Sequence, residues 1–425
     1  MHITIVTLGS RGDFQPYLAL AVGLQRAGYR VRLASHALFR PLAQAYGVAD
    51  FYPVEGNPMA LLRTPAGLRW LESGVNPLRQ VLGILPLVRP HLVQGMTDIW
   101  QACQGTDAVV VSVLGIGGIH AAEKLGVPLL LAFLQPFTPT RMFPVPGAPM
   151  WGLGGWYNWW TFVMAQQMFW LPFRGVINRW RREVLGLRPF PFWGPYRALR
   201  QRQVPVLYGY SPSVLPRPDD WPDWHHVTGY WYLERPSDWQ PPTSLQQFLQ
   251  SDPPPLYIGF GSMVDSNPDE LLHILLTALA RTGQRAVLLR GWANLQPETL
   301  PETVCLISDV PHDWLFARVS AVIHHGGAGT TAAGLKAGVP NILVPYFADQ
   351  FFWADRIRRL GVGPAGIPRR RLTVDALTQA IERVLGDETM RQRAARLGEK
   401  IRAEDGVAQA VSLIREIVGP PEKDC

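Results

Sequence analysis

Short apolar runs alternate with helical stripes in the first part of the chain. The segment "ITIVTLGSRGD" (3–13) is an apolar run that enters a glycine-bearing loop, and the apolar positions of 17–28 then fall on one helical face. A second strand-like segment, 30–35, follows, and the same order returns where 107–115 and 127–133 enclose a helical stretch. Apolar β-branched runs that alternate with helices predict a parallel, doubly wound sheet.

The alternation starts again after a polar, proline-rich stretch. Residues 236–255 are rich in Pro, Ser and Gln, which predicts a linker. Beyond it the pattern predicts a helix over 268–282 among further strands, and amphipathic helices from Thr373 onward. We therefore expect an N-terminal α/β domain over 1–235, a C-terminal one over 256–400 and a helical tail over 401–425. Ligands of such sheets bind beyond the carboxyl ends of the strands, so we expect the two domains to face each other across a ligand-binding cleft.

Composition narrows the class of protein. Hydrophobic residues make up 47% and charged residues 17% of the 425 positions, which is typical of a folded globular chain. The formal net charge is +7, but the arginines are scattered and the densest run is 369–371. A nucleic-acid footprint usually clusters on one element. The positive net charge therefore predicts that the protein binds an anionic ligand or an anionic surface. We expect no nucleic acid among its partners.

Cysteine usage and the N-terminus predict a cytoplasmic protein. Cys103, Cys305 and Cys425 are far apart and lack CxxC spacing, which argues against a disulfide framework or a zinc site. The first residues, "MHITIVTLGS", enter a strand directly and lack the pattern of a signal peptide. The uncharged stretch 142–173 is interrupted by Pro, Gly, Asn and Gln, so we expect no transmembrane helix there.

The segment "HHGGAGTTAAGLKAGVPNILVPYFADQ" (324–350) joins a strand end, a glycine loop and a helix. The backbone N–H groups of 327–330 can approach a phosphate because no large side chain intervenes, and the helix dipole adds attraction. A histidine at the strand end adds a donor, and the absence of a following Lys excludes a P-loop. The histidine pair before the loop and the Asp-Gln pair after it favour a ligand site over a turn that only serves packing.

Two further glycine loops follow strands. "GFGSM" (259–263) can bring Gly261 and Ser262 to the same phosphates, although this loop alone is equally well explained as a turn. In "GSRGD" (9–13), Asp13 lies just past the first strand, where a carboxylate can act as general base toward a substrate hydroxyl and Ser10 can bond to it. From the residues alone, a helix cap is the stronger interpretation of Asp13.

Together with "VPHDWLF" (310–316), these segments resemble nucleotide-sugar-dependent glycosyltransferases of the GT-B type. The resemblance is to the sterol 3β-glucosyltransferase branch, with glycopeptide-antibiotic glycosyltransferases as near relatives. It covers nearly the whole chain and is specific in the 324–350 motif but not in the acceptor region. It implies an α/β fold of two doubly wound Rossmann-like domains facing across a cleft, with the acceptor bound by the N-terminal domain and the nucleotide sugar by the C-terminal one.

The resemblance also implies roles for individual residues. His325 donates to the donor diphosphate, whereas His324 remains a structural neighbour. Asp13 is the catalytic base, with Ser10 beside it. Asp349 and Gln350 bind the sugar hydroxyls. The other donor-binding positions that it implies are Gly12, Gly261, Ser262, Val310, Gly327, Ala328, Gly329 and Thr330.

The chain departs from the plant branch of the family. A base-stacking Trp of that branch is replaced by Asp309 and a ribose-binding Glu by Ala333, which leaves the choice between UDP and dTDP donors open. The branch's catalytic His is also absent, which leaves Asp13 as the base. The implied chemistry is an inverting single displacement. The chain contains no DxD motif, so we expect no metal and no cofactor beyond the nucleotide-sugar co-substrate.

Seven tryptophans lie between 151 and 193, followed by arginines that only Glu183 opposes. Three interpretations compete: an aromatic core, which we expect for about half of these tryptophans; a wide apolar acceptor pocket, to which Trp156 and Trp160 are assigned; and an interfacial patch on an anionic membrane. The last two are compatible, because a lipophilic acceptor such as a sterol must be drawn from a membrane. They place the protein in the cytoplasm, with peripheral contact to the inner face of a membrane.

The leading hypothesis is an inverting, metal-independent transferase that moves a hexose, glucose from UDP-glucose, to a hydroxyl of a lipophilic acceptor such as a sterol or other polycyclic alcohol. One alternative keeps the class but changes the substrates: a dTDP-deoxysugar transferase acting on a polyketide or peptide natural product. An alternative of another class is a non-catalytic protein that binds sugar nucleotides or lipids.

Overall fold

The computed structural model describes residues 1–57, 60, 64, 67, 77–261, 263, 265, 267–290 and 300–421. The chain forms two compact units. The first comprises residues 1–233 together with the C-terminal segment from Asp405, and the second comprises Glu234–Glu404. Each unit has its own sheet.

The first unit is built on a seven-stranded parallel sheet of order β3-β2-β1-β4-β5-β6-β7. Its strands are β1 (His2–Val6), β2 (Arg30–His36), β3 (Phe51–Val54), β4 (Ala108–Val111), β5 (Leu129–Phe133), β6 (Val206–Tyr208) and β7 (His225–Val227). Its helices before the second unit are α1 (Arg11–Arg26), α2 (Arg40–Ala45), α3 (Pro77–Ala102), α4 (Gly117–Leu125), α5 (Gly154–Trp170), α6 (Arg174–Glu183) and α7 (Pro195–Gln201). The central strand β4 is buried along its whole length, as expected for a sheet covered on both faces.

The second unit is built on a five-stranded parallel sheet of order β10-β9-β8-β11-β12. Its strands are β8 (Leu256–Gly259), β9 (Ala286–Leu289), β10 (Val304–Ile307), β11 (Ala321–His324) and β12 (Asn341–Leu343). Its helices are α8 (Thr243–Leu249), α9 (Pro268–Thr282), α10 (His312–Leu315), α11 (Ala328–Ala337), α12 (Gln350–Leu360), α13 (Val374–Gly386) and α14 (Glu388–Arg402). Two parallel, Rossmann-like α/β units confirm the predicted fold class.

The helix predicted over 268–282 is confirmed, and its ends show why the sequence specified it. The Asn267 side chain accepts the backbone N–H of Glu270, and Pro268 occupies the first turn. At the other end Gly283 is left-handed at φ +63°, the conformation that stops a helix at low cost when the residue is glycine.

The segments assigned to a linker and a tail carry packed structure. Within 236–255, helix α8 places Leu245 in the hydrophobic core of the second unit. The C-terminal helix α15 (Gly406–Val418) packs on α1 in the first unit, where Ala410, Ile414 and Val418 join its core. The close approach needs a glycine on α1: a Cβ at Gly23 would lie 2.4 Å from Val407 Cγ1.

Candidate active site

Several of the predicted site residues follow strands at the point where the strand order of each sheet reverses. In the first unit this point lies between β1 and β4, and Ser10, Gly12 and Asp13 follow the carboxyl end of β1. In the second unit it lies between β8 and β11, which are followed by Gly261 and by the loop 325–327. Ligands of open α/β sheets bind at such switch points. The topology therefore supports a ligand site at each of these loops.

The two histidines after β11 have different surroundings. The His324 ring is buried; its Nε2 lies 3.1 Å from Asn341 Oδ1, and its Nδ1 accepts the backbone N–H of Gly326 at 3.1 Å. Both ring nitrogens of His324 are thus occupied in binding the loop to β12. Among the described residues, His325 Nδ1 is buried without a hydrogen-bond partner. An unpaired buried nitrogen at a glycine loop is the kind of group that a ligand satisfies.

Glycines from both loops enclose the His325 ring. A Cβ at Gly261 would lie 3.0 Å from His325 Cε1, and a Cβ at Gly327 would lie 2.4 Å from His325 Nε2. Gly261 is also left-handed at φ +56°, which disfavours any other residue there. The structure thus brings three predicted donor-site residues together around one imidazole.

Burial sets the protonation state of this imidazole. Desolvation, together with the nearby charge of His312, lowers the pKa of His325 to about 4. The ring is therefore neutral near pH 7, and it can act toward a phosphate as an N–H donor without a positive charge.

The N-terminus of α11 lies beside this ring. The helix begins at Ala328 after Gly327, and no described side chain caps it. The first backbone hydrogen bond of the helix runs from the Thr331 N–H to the Gly327 carbonyl. The N–H groups of Ala328, Gly329 and Thr330 come before this bond, in the first turn, where a helix has no backbone acceptors of its own to offer. In addition, the buried Thr331 hydroxyl has no partner among the described residues. Neither the Thr330 nor the Thr331 side chain caps the helix, so the helix end can serve an anion instead.

The loop after β12 presents Asp349. Ala348 precedes it in the left-handed region at φ +54°, a conformation that is rare for a residue with a Cβ and is concentrated at functional sites. The Asp349 carboxylate accepts the Trp353 indole N–H at 3.0 Å and remains partly exposed. Its orientation is thus fixed by backbone and side chain together.

Gln350 has a different environment from Asp349. Its side chain is buried, and its Oε1 accepts the backbone N–H groups of Tyr346 at 2.7 Å and Phe347 at 3.3 Å. Its Nε2 lies 3.4 Å from Met263 Sδ. In this arrangement Gln350 holds the loop that carries Asp349.

An ion-pair network that the sequence analysis missed also holds this loop. Arg369 binds Asp265 with both Nε (2.6 Å) and Nη2 (3.0 Å), and the Tyr346 hydroxyl donates to the same carboxylate at 2.7 Å. The Asp265 side chain is only 2% exposed. In the sequence, Asp265 looks like an ordinary polar loop residue before α9, and Arg369 like part of a surface arginine run; only the tertiary structure joins them.

In the first unit, Asp13 lies in the first turn of α1. Its Oδ2 accepts the backbone N–H and the hydroxyl of Ser10, both at 2.8 Å. A Cβ at Gly9, which has φ +128°, would lie 2.5 Å from the same oxygen, so only glycine fits there. Gly12 is exposed one position earlier on the helix. These contacts are those of an N-terminal cap, the interpretation that the residues alone favoured.

Two opposing effects act on the protonation of Asp13. Desolvation raises its pKa above the ordinary value of 3.8, and the two hydrogen bonds from Ser10 partly offset this effect. A carboxylate with a raised pKa accepts a proton more readily. The capping geometry and a role as general base are therefore compatible.

Of the remaining predicted positions, Val310, Trp156 and Trp160 lie in other segments of their own units. Val310 lies past the carboxyl end of β10 with its side chain in the core of the second unit. Ser262 lies outside the described residues. Trp156 and Trp160 lie on α5 in edge-to-face contact with ring centroids 5.8 Å apart, and Trp156 is 75% exposed. Of the tryptophans in this segment, Trp170 and Trp180 are in the core.

Sequence comparison matches both parts of the chain to glycosyltransferase families. Residues 3–144 match the model of the glycosyltransferase family 28 N-terminal domain. Residues 275–416 match the model of the C-terminal domain of erythromycin biosynthesis protein CIII-like proteins. The first match covers strands β1 to β5 of the first sheet, and the second covers strands β9 to β12 of the second sheet.

Curated relatives include fungal sterol 3-beta-glucosyltransferases. The Aspergillus fumigatus protein is 40% identical over 427 residues, which cover 97% of this chain and 30% of the relative. The Cryptococcus neoformans protein is 38% identical over 439 residues, which cover 97% of this chain and 27% of the relative. The chain thus spans about a third or less of the length of these relatives.

Solved structures of antibiotic glycosyltransferases share the fold. CalG4, the calicheamicin glycosyltransferase, is 21% identical with a TM-score of 0.70, and the match covers 98% of each chain. VinC, solved in complex with dTDP, is 18% identical with a TM-score of 0.67, and the match covers 98% of this chain and 99% of VinC. With both domain families matched and the fold shared along the chain, this protein belongs to the GT-B glycosyltransferases.

Proposed function

We propose that this protein transfers glucose from UDP-glucose to the hydroxyl of a sterol or similar polycyclic alcohol, with inversion and without a metal ion. The assignment of the nucleotide-sugar donor rests on one observation: Gly261 and Gly327 enclose the His325 ring beside the uncapped N-terminus of α11. The acceptor half is supported by the 40% identity to sterol 3-beta-glucosyltransferases.

In the proposed reaction, Asp13 removes the proton from the acceptor hydroxyl. The acceptor oxygen then attacks the anomeric carbon of the sugar, and the bond from that carbon to the diphosphate breaks. Negative charge grows on the leaving diphosphate, which the N–H groups of α11 and the neutral His325 donor stabilise. Because this chain supplies donors and a helix dipole at the leaving group, the step needs no metal-bridged diphosphate.

Asp349 contributes to sugar recognition in this proposal. Its carboxylate is partly exposed and held by Trp353, so it can accept hydrogen bonds from sugar hydroxyls. Gln350 supports this recognition indirectly, since its amide oxygen already binds two backbone N–H groups.

A thermal-shift screen of the full chain tests the donor assignment. A ligand that binds only the folded state raises the melting temperature, so we expect shifts with UDP and UDP-glucose that exceed those with GDP. A larger shift with dTDP and its sugars than with UDP would instead favour the dTDP-deoxysugar alternative. Stabilisation by none of these nucleotides would overturn the donor site.

A transfer assay tests the acceptor and separates an enzyme from a binding protein. UDP-glucose labelled in the sugar is incubated with a 3β-hydroxysterol dispersed in detergent, and label in the organic phase is counted. The anomeric configuration of the product, read by NMR, should be β if the reaction inverts. Nucleotide binding without transfer to any sterol or polycyclic alcohol would contradict the proposed acceptor.

A further inference from the structure

Helix α5 exposes an apolar face that nothing in the described chain covers. Successive residues of a helix are rotated by about 100°, which places 156, 160, 164 and 168 on one side. On that side Trp156 is 75% and Met164 55% exposed, while Trp160 and Met168 are half-buried. On the opposite side Phe162 is buried in the first unit, and Trp170, at the C-terminal end of the helix, is also buried. The face runs along a helix of 17 residues, roughly 25 Å.

The segment before α5 extends this face. Trp151 is 68% and Leu153 64% exposed, and the Trp151 ring lies 5.7 Å from that of Tyr157 on α5. The Tyr157 hydroxyl donates to the Pro149 carbonyl at 2.7 Å, which holds the segment against the helix. The exposed tryptophans are therefore presented by ordered structure. An apolar patch of this extent, left uncovered by the described residues, indicates an interaction site.

The charged residues that flank the apolar face of α5 indicate which kind of surface it binds. No charged residue occurs between Arg141 and Arg174. Arg141 lies beside the start of α5, where its carbonyl accepts the Asn158 side chain at 2.9 Å, and Arg174 opens α6 just after the end of α5. On α6, Arg174, Arg179 and Arg182 are exposed, whereas Arg181 is buried and paired with Glu123. An apolar face between cations complements a surface with apolar depth and anionic headgroups.

We propose that the α5 face, defined by Trp151, Leu153, Trp156, Trp160 and Met164, docks the protein on a bilayer containing anionic lipid. Tryptophan favours the depth of the headgroups, where its ring is buried and its N–H remains hydrated. Leu153 and Met164 enter the acyl boundary, and the arginines pair with lipid phosphates. No described helix is long and apolar enough to cross a membrane, so the contact is interfacial.

Vesicle sedimentation tests this docking without nucleotide or sterol, so its outcome is independent of the proposed reaction. The full chain is mixed with vesicles of phosphatidylcholine alone or of an equal mixture with phosphatidylglycerol. We expect the unaltered protein to favour the anionic vesicles. The triple variant Trp151→Ser, Leu153→Ser, Met164→Ser should lose roughly tenfold or more in partition coefficient. Leu38→Ser with Val93→Ser, which changes exposed apolar residues elsewhere on the same unit, should bind as the unaltered protein does.

A variant with fewer positive charges separates the electrostatic contribution to vesicle binding from the apolar one. Arg141→Gln with Arg174→Gln should weaken binding to the anionic vesicles by roughly fivefold per residue, with little effect on phosphatidylcholine alone. Arg396→Gln, an exposed arginine on α14, is the matched control. Equal sedimentation of the triple variant and the unaltered protein would overturn the proposal. So would a dimer of the unaltered protein in size-exclusion chromatography that the triple variant converts to a monomer, because the face would then bind a second copy.

A separate observation concerns the loop that carries Asp349. We infer that Asp265, Tyr346 and Arg369 are positioning residues for recognition of the donor sugar, an inference that rests on the proposed function. Asp265 comes from the loop after β8 and accepts the hydroxyl of Tyr346, three residues before Asp349. Arg369, from the segment after α12, donates to the same carboxylate. The Arg369 side chain is 14% exposed, so the pair is shielded from solvent. A buried bidentate pair of this kind fixes geometry more than it adds stability.

The test compares two ligands that differ only by the sugar. In Asp265→Asn, UDP affinity should stay within about twofold, whereas UDP-glucose affinity should fall roughly tenfold, measured by calorimetry. Glu270→Gln, which removes the solvent-exposed partner of Arg369, should leave both affinities unchanged. An unchanged ratio of the two affinities in Asp265→Asn would refute the positioning role, even if the variant is less stable. Failure of the unaltered protein to bind UDP-glucose would refute the proposed function instead.

Discussion

Ser10 donates two hydrogen bonds to one oxygen of Asp13, from its backbone N–H and from its hydroxyl, each 2.8 Å long. The pair fixes the direction of the carboxylate just past the carboxyl end of strand β1, and the left-handed Gly9 leaves room for it. A helix cap needs such bonds, and so does a general base whose oxygen must be held in place. The geometry therefore serves both roles, and kinetics can separate them.

Asp13→Asn separates a cap from a base. Asparagine is nearly isosteric and can still accept the Ser10 bonds, but it cannot take a proton. If Asp13 is the base, kcat should fall by about 10²- to 10⁴-fold while UDP-glucose still binds. Initial rates of glucose transfer and calorimetric affinity provide the measurement. Retained turnover in this variant would show that Asp13 only caps α1.

Ser10→Ala shifts the pH dependence of the reaction. The Ser10 hydroxyl lowers the pKa of Asp13 against the stronger raising effect of burial. The base must be deprotonated to act, so activity is lost as the pH falls through this pKa. Without the hydroxyl, the pKa rises further and the acidic limb of the kcat/KM profile should move to higher pH. An unmoved acidic limb would mean that another group controls it.

The sequence indicated the residues proposed to contact the ligand better than the tertiary contacts that hold those residues in place. Strand–glycine loop–helix patterns indicated the loops of Gly261, His325 and Gly327, because loop geometry depends on residues that are close in sequence, and the family resemblance implied their roles. The enclosure of the His325 ring by two loops about 65 positions apart depends on the sheet order, which no local pattern encodes. The same reason explains why the buried position of the Gln350 amide was not predicted.

In the aromatic segment, amino-acid composition could not predict which tryptophans are buried and which are exposed. Tryptophan density around 151–193 predicted both core and surface roles without saying which residue has which. The assignment follows from the position along α5, since Trp170 at its C-terminal end is buried and Trp156 near its start is exposed. The ion pair of Asp265 and Arg369 could not be predicted from the sequence, because the two residues are 104 positions apart and are brought together only by the fold.

His325 should bind the donor without taking up a proton. Its pKa of about 4 in the free protein leaves the ring neutral at neutral pH. We therefore expect the affinity for UDP-glucose, whose diphosphate does not titrate in this range, to be constant from about pH 6 to about pH 8. Calorimetry in buffers of different ionisation enthalpy measures proton uptake directly. An affinity that rises steadily as the pH falls would show that the diphosphate instead binds a protonated ring.

His325→Phe removes the donor while keeping a planar ring between Gly261 and Gly327. A lost hydrogen bond to a charged group costs about 1.5–3 kcal/mol, so affinity for UDP-glucose should fall by roughly ten- to a hundredfold. The melting temperature of the free protein should be little changed, since Nδ1 has no partner to lose among the described residues. Unaltered affinity would place the diphosphate away from His325.

Gly327→Ala tests whether the enclosure of the His325 ring matters for donor binding. The backbone at Gly327, φ −61° and ψ 142°, is open to alanine, so any effect comes from the added methyl. That Cβ would lie 2.4 Å from His325 Nε2, closer than packed atoms approach, and the ring would have to move. We expect a loss of about tenfold or more in UDP-glucose affinity.

The matched control for this substitution is Gly386→Ala at the end of α13, where a Cβ would meet no described atom within 4 Å. It adds the same methyl to a helix end of the same unit and should leave donor affinity unchanged. If Gly327→Ala binds UDP-glucose as tightly as Gly386→Ala does, the position of the imidazole does not govern recognition of the diphosphate. In that case the helix N-terminus of α11 alone would carry the anion site.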